Sequence, residues 1–242
     1  MNFDSSVITG HLPQFIEGIG LTAEITVVAF LLGYAAAIIL AIAAMLPGRV
    51  PDLLVSGYVT LFRSVPFIIT LFIVYYGLPF AGIRLPAYAV GTVALGLNAA
   101  AYYTEVIRAA LLAVPRGQMD AARAIGLSFP RAMHLVLAPQ VFRTVVPPST
   151  SVTLSMMKDS AVLSSITVPE LTYQGLLVQG DTFAPVEVFV AVTLLYWGLA
   201  LLIAGLARRL ERRLSRTHAR TQRFSPLAAK YLSLEWRDRP AA

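Results

Sequence analysis

Few residues of this 242-residue chain can do chemistry, and several of those lie inside apolar runs. Lys158 and Asp159 interrupt the apolar stretch 144–166, while Asn98, Tyr102 and Glu105 fall in or just beyond the stretch 85–104. An ionisable group at membrane depth is costly to keep, so each is a functional candidate by default. Arg108 follows Glu105 by one helical turn, which suits a surface ion pair. Glu105 is therefore read in two ways, as a structural brace or as a carboxylate that attracts an ammonium group. Adjacent helical positions point about 100° apart, so Lys158 and Asp159 need not pair with each other. They serve either to brace an interface or to line a substrate path. Tyr102 stands at i+4 from Asn98, on one helical face; packing with a satisfied hydroxyl is the plainer role. Catalysis finds no support. There are 0 cysteines, and His11, His134 and His218 have no metal-ligand spacing. No nucleophile–base pair emerges. A phosphate-cradling G-x-x-x-x-G-K-[ST] is missing as well, so neither a metal nor a nucleotide cofactor is expected in this chain.

The elements that must hold these residues are membrane helices. Apolar residues make up 57% of the chain and charged ones 13%, with a mean hydropathy of +0.71, whereas soluble domains carry about 25% charged residues. A span needs about 20 mostly apolar residues. The stretches 25–46, 64–83, 85–104 and 188–207 qualify, and 144–166 is a fifth if its adjacent opposite charges offset each other. The expected fold is an all-α membrane protein with five transmembrane helices.

Basic residues set the orientation, since they favour the cytoplasmic side. Segment 1–20 has neither lysine nor arginine and goes outside, as does the acidic segment 167–187. Arg49 marks an inner turn. The segment 108–143 carries Arg108, Arg116, Arg123, Arg131 and Arg143 and goes inside. Arg208, Arg209, Arg212 and Arg213 place the C-terminus in the cytoplasm. Five spans satisfy all of these. The domains are then an extracytoplasmic segment 1–20, a transmembrane domain 21–207 and a basic cytoplasmic tail 208–242. Leu206, Leu210 and Leu214 recur among the tail arginines, as in an amphipathic helix on an anionic leaflet. The net charge of +6 thus reads as a membrane flank, and nucleic acid is not an expected partner. Arg63 and Pro66 mark the inner start of the second span, and Pro147-Pro148 is expected to break the start of the fourth.

The cytoplasmic loop 115–139 has structure of its own. Gln118 to Ile125 is a helix-former run with Ala121, Ala122 and Ala124; Gly126 supplies a left-handed stop. Ser128 can cap a second helix, with Pro130 in its first turn, ending near Pro139. The product is a helix–glycine–helix elbow whose small alanines suit another protein's groove.

This loop resembles one found in bacterial ABC-importer permeases, of the form Glu-Ala-Ala, three residues, Gly, nine residues, Ile, any residue, Leu-Pro. Here it reads DAARAIGLSFPRAMHLVLAP. Asp120-Ala121-Ala122, Gly126 and Pro139 keep the spacing, and Asp120, Val136 and Ala138 depart in type. The resemblance extends to polar amino-acid permeases through YVTLFRSVPFIITLFIVYYGLP (58–79), AYYTEVIRAALLAVPRGQ (101–118), LAPQVFRTVVPP (137–148) and MKDSAVLSSITVPELT (157–172). It implies a bacterial cytoplasmic membrane, a pair of permease subunits (identical or homologous), a cytoplasmic ABC ATPase dimer that binds ATP and Mg, and an extracytoplasmic amino-acid-binding protein. It makes Gln118, Asp120, Ala121, Ala122, Gly126 and Pro139 the ATPase-coupling loop. Other expectations remain open: an opine or other small organic ion as cargo, or a secondary transporter, although five spans show no internal repeat.

Overall fold

The computed structural model describes residues 3–219, and the tail from 220 to 242 lies outside them. Among the described residues all regular structure is helical. In chain order the α-helices are α1 (Ser5–Gly10), α2 (Leu12–Ala43), α3 (Arg49–Ser64), α4 (Phe67–Gly77), α5 (Ala87–Leu112), α6 (Arg116–Ala124), α7 (Phe129–Ala132), α8 (Ala138–Asp159), α9 (Leu171–Thr182) and α10 (Pro185–Ala219). Short 3₁₀ turns follow α4 and α8, and a π-turn, Met133–Leu137, joins α7 to α8. By length and composition α2 and α10 can each cross a membrane, and the bent pair α3–α4 is a third candidate.

The bundle is organised by α5, whose buried face meets α2. Small residues make this approach possible. Along α2, Ala29, Gly33, Ala37 and Ala41 recur every four residues and are buried. A Cβ on Gly33 would lie 2.6 Å from the Gly96 carbonyl oxygen of α5. In lipid, where hydrocarbon gives helices no reason to avoid the solvent, this close backbone packing is a main source of association. Ile25, Leu95, Tyr103, Val145 and Leu163 fill the rest of this core. A second, smaller core joins the start of α2 to α9 and α10 through Phe15, Leu171, Val178 and Val188.

Three sequence expectations change, and the second span gains a helix before it. Expected over 64–83 with Pro66 near its start, that span appears as α4 and its 3₁₀ turn, and α3 precedes it, turned by 106°. Pro66 is the reason, because the residue before a proline is pushed out of the α region, and Val65 is extended at φ −100, ψ 131. Pro147 and Pro148 lie inside α8 and do not break it. Pro139 does not end the elbow's second helix either; it sits in the first turn of α8, where a missing N–H matters least, directly after the π-turn. Ser128 occupies the N-cap position of α7, but its hydroxyl makes no cap bond. In addition, α2 begins at Leu12, well before its most apolar stretch.

Candidate functional site

The polar residues of α3, α5 and α8 meet along one side of the bundle. A cavity of about 360 Å³ is lined by Asn98 and Tyr102 of α5 and by Ser151, Ser155 and Asp159 of α8. Asn98, Tyr102 and Asp159 also face the break between α3 and α4, with Arg63, Val65 and Pro66 opposite. Arg63 and Ser64 in turn border a third polar cavity with Ser56, Thr60, Glu105 and Arg108. Shared residues make the three cavities continuous.

Each group along this path is held differently. Asn98 is buried and donates from Nδ2 to the Phe62 carbonyl at 3.3 Å, capping the end of α3. The Arg63 guanidinium lies 5.6 Å from the centre of the Tyr102 ring, a cation–π distance, and 3.5 Å from Glu105 Oε2. Glu105 Oε1 is 3.6 Å from Arg108, which also reaches Asp52 Oδ1 at 3.1 Å. The order is therefore Asp159, Tyr102, Arg63, Glu105, Arg108, Asp52, with charges alternating from Arg63 onward. Asp159 is half-buried and accepts no hydrogen bond among the described residues. Lys158 is exposed and lines none of the three cavities. Thus Asn98, Tyr102, Glu105 and Asp159 come together and Arg63 joins them, while Lys158, next to Asp159 in the chain, stays outside the cavities. The spacing of Glu105 and Arg108 was legible; the link to Arg63 and Asp52 needed α3 to fold back on α5.

A second carboxylate was counted only as an outer-loop charge. Glu170 is 0% exposed. It caps α9: Oε1 accepts from Tyr173 N at 2.9 Å, and Oε2 from Thr172 N at 3.0 Å and the Tyr196 hydroxyl at 2.7 Å. Thr22 of α2 comes to 3.5 Å of Oε2 and receives the Leu171 N–H at 3.1 Å. Burial pushes the Glu170 carboxyl up, and the Thr172 N–H and Tyr196 hydroxyl pull it back. Thr167, at φ 64, turns the chain towards this cluster in a conformation β-branched residues rarely take. A glutamate directly before a helical run was the available signal.

On the opposite end, α6 stops in a Schellman arrangement. Gly126 takes φ 86, its N–H donates to the Arg123 carbonyl at 2.9 Å, and the Leu127 N–H to the Ala122 carbonyl at 3.1 Å. Ala122 is buried, whereas Gln118, Asp120, Ala121, Gly126 and Pro139 are exposed. Gln118 Oε1 accepts from Gln140 of α8 at 3.4 Å. Ile125 and Phe129 stand 78% and 53% exposed beside the glycine. These two apolar side chains were absent from the sequence-derived set, though they flank its glycine.

No group of metal-binding side chains is found among the described residues. Comparison with known proteins agrees with the architecture. A probable amino-acid ABC transporter permease of Bacillus subtilis, YckA, is 31% identical over 87% of this chain and 93% of its own. The arginine transport system permease ArtQ of the same organism is 30% identical over 88% and 98%. The crystal structure of an amino acid ABC transporter superimposes with a TM-score of 0.82 at 31% identity, covering 88% of this chain and all of that one. Residues 29–216 match the family described as binding-protein-dependent transport system inner membrane component. The chain belongs to this family of inner membrane transport components.

Proposed function

We propose that the chain lines the translocation path of an ATP-driven importer for polar amino acids in the bacterial cytoplasmic membrane. The carrying observation is the cavity at Asp159: a carboxylate without a donor, in a mostly apolar bundle, next to Asn98, Tyr102 and Arg63. A zwitterion supplies what is missing there. Its ammonium offers Asp159 up to three donors, and its carboxylate matches the guanidinium fork of Arg63. Glu105 and Arg108 continue the path towards the cytoplasm. The names of YckA and ArtQ support amino acids as the cargo.

In this reading five spans cross the membrane, formed by α2, the bent α3–α4, α5, α8 and α10, with the N-terminus outside. The elbow from Gln118 to Pro139 couples to a cytoplasmic ATPase dimer, which binds ATP and Mg. Ile125 and Phe129 give that ATPase an apolar grip. A second permease subunit completes the path and an extracytoplasmic binding protein delivers cargo. Because α7, the π-turn and α8 are contiguous in sequence, displacement of the elbow moves the helix that ends at Asp159.

The test is uptake into liposomes holding this chain, its ATPase and its binding protein, with a panel of labelled amino acids and opines. ATP-dependent amino-acid uptake that Gly126→Pro abolishes supports the reading, since φ 86 is closed to proline. Uptake that follows a proton or sodium gradient without ATP overturns it, and ATP-dependent uptake of opines alone replaces the cargo.

A further inference from the structure

A second groove takes no part in the polar path. It lies between α2, α8 and α10, encloses about 510 Å³, and has no charged residue in its lining. Val27 and Phe30 form one wall, Phe142 and Val146 another, and Leu202 and Leu206 the third. Three of its five hydroxyls are used within their own helices, Thr26, Thr150 and Thr153 donating to the carbonyls of Thr22, Val146 and Ser149; the Ser149 hydroxyl is buried without a partner among the described residues. A wall made mostly of hydrocarbon side chains, with no charge, favours an apolar guest over a polar one.

One end of the groove is different. The stripe Leu202, Leu206, Leu210 on α10 is bordered by Arg209, three residues past Leu206, and by Arg213, three past Leu210, and both arginines are exposed. Residues at that spacing share a helical face. Helix α10 has 35 residues, about 52 Å at 1.5 Å per residue, while the hydrocarbon core is about 30 Å thick. Its last turns therefore extend past the hydrocarbon, and the arginines stand at the depth of lipid headgroups.

We propose that this groove is a binding site for an anionic phospholipid of the cytoplasmic leaflet, with an acyl chain against Phe30, Phe142 and Leu206 and the phosphate on Arg209 and Arg213. Charge favours lipid over a second copy of the chain. Two copies share one orientation in the membrane, so a symmetric contact through this groove would set the two arginine pairs at the same depth and repel. The inference rests on the membrane orientation proposed above and not on the identity of the cargo.

Native mass spectrometry of the full-length chain in detergent, titrated with phosphatidylglycerol or phosphatidylcholine, tests it. Phosphatidylglycerol is expected to bind about 30-fold more tightly, the factor that two cations near a membrane surface supply. The double variant R209Q/R213Q should lower phosphatidylglycerol to the phosphatidylcholine level, and R209K/R213K should keep the preference. Ala207→Phe, which fills the groove from α10, should weaken both lipids. Equal binding of the two lipids by the unaltered chain, or an unchanged preference in R209Q/R213Q, overturns the site. A dimer that Ala207→Phe dissociates, with lipid binding unaffected, assigns the groove to a second copy instead. These readouts do not involve transport, so a failed amino-acid panel leaves them standing.

Discussion

Two carboxylates near opposite ends of one short segment, Asp159 and Glu170, have opposite surroundings. Glu170 is sealed from solvent and collects two backbone N–H groups and a tyrosine hydroxyl. Asp159 borders an open cavity and collects none among the described residues. A buried carboxylate with its acceptor sites filled has nothing left to offer a ligand, and its contribution is architectural: it ties α2, α9 and α10 at one point. A carboxylate with its sites empty is stabilised by whatever donor arrives. On the proposed reading, the number of donors already in place, more than burial, separates the structural charge of Glu170 from the cargo-binding charge of Asp159.

Removing the tie is expected to give the largest effect. Glu170→Ala should destabilise the protein by about 4 kcal/mol, combining a lost cap with orphaned Thr172, Tyr173 and Tyr196 donors. Thermal unfolding in detergent measures it, and uptake per folded molecule should persist. If uptake vanished while melting was unchanged, the comparison would be inverted. Asp159→Asn should do the reverse: melting is preserved and uptake falls about 100-fold, as expected for loss of a charged hydrogen bond worth nearly 3 kcal/mol.

Smaller changes sharpen the same contrast. Gly33→Ala puts a Cβ 2.6 Å from the Gly96 oxygen and should cost about 2 kcal/mol of stability through overpacking, with the cargo profile intact. Arg63→Lys keeps the charge beside Glu105 but loses the planar fork. Uptake should fall about fivefold, equivalent to roughly 1 kcal/mol, with little change in melting.

Much of the architecture was legible because it rests on one-dimensional signals. Apolar stretches announced α2 and α10, and a lone glycine after an alanine-rich run announced the turn that Gly126 makes. What escaped depends on neighbours distant in sequence. Hydropathy and Pro66 mark the start of the span over 64–83, but Asp52 and Arg63 keep the stretch before it from reading as part of a span, so α3 and its 106° turn went unseen. Pro147-Pro148 gave a false break, since losing two N–H donors does not unwind a helix packed against α5 and α10. In the candidate site, the common face of Asn98 and Tyr102 followed from helical spacing. The approach of Arg63 did not, because it requires α3 to lie along α5. Glu170 was read as an outer charge for want of any sign that Thr22 and Tyr196, 148 and 26 residues away, would close over it.

The break between α3 and α4 has an electrostatic consequence. An uninterrupted helix keeps its terminal partial charges at the membrane surfaces, but one divided at Val65-Pro66 brings two termini to the cavity. The end of α3 presents carbonyl oxygens, about half a negative charge, and the start of α4 presents N–H groups, about half a positive one. Asn98 engages only the Phe62 carbonyl. The backbone therefore offers both signs of potential within a few residues, oriented without any mobile side chain. A dipolar solute held there would feel a field that salt screens poorly and that no change of pH can switch off.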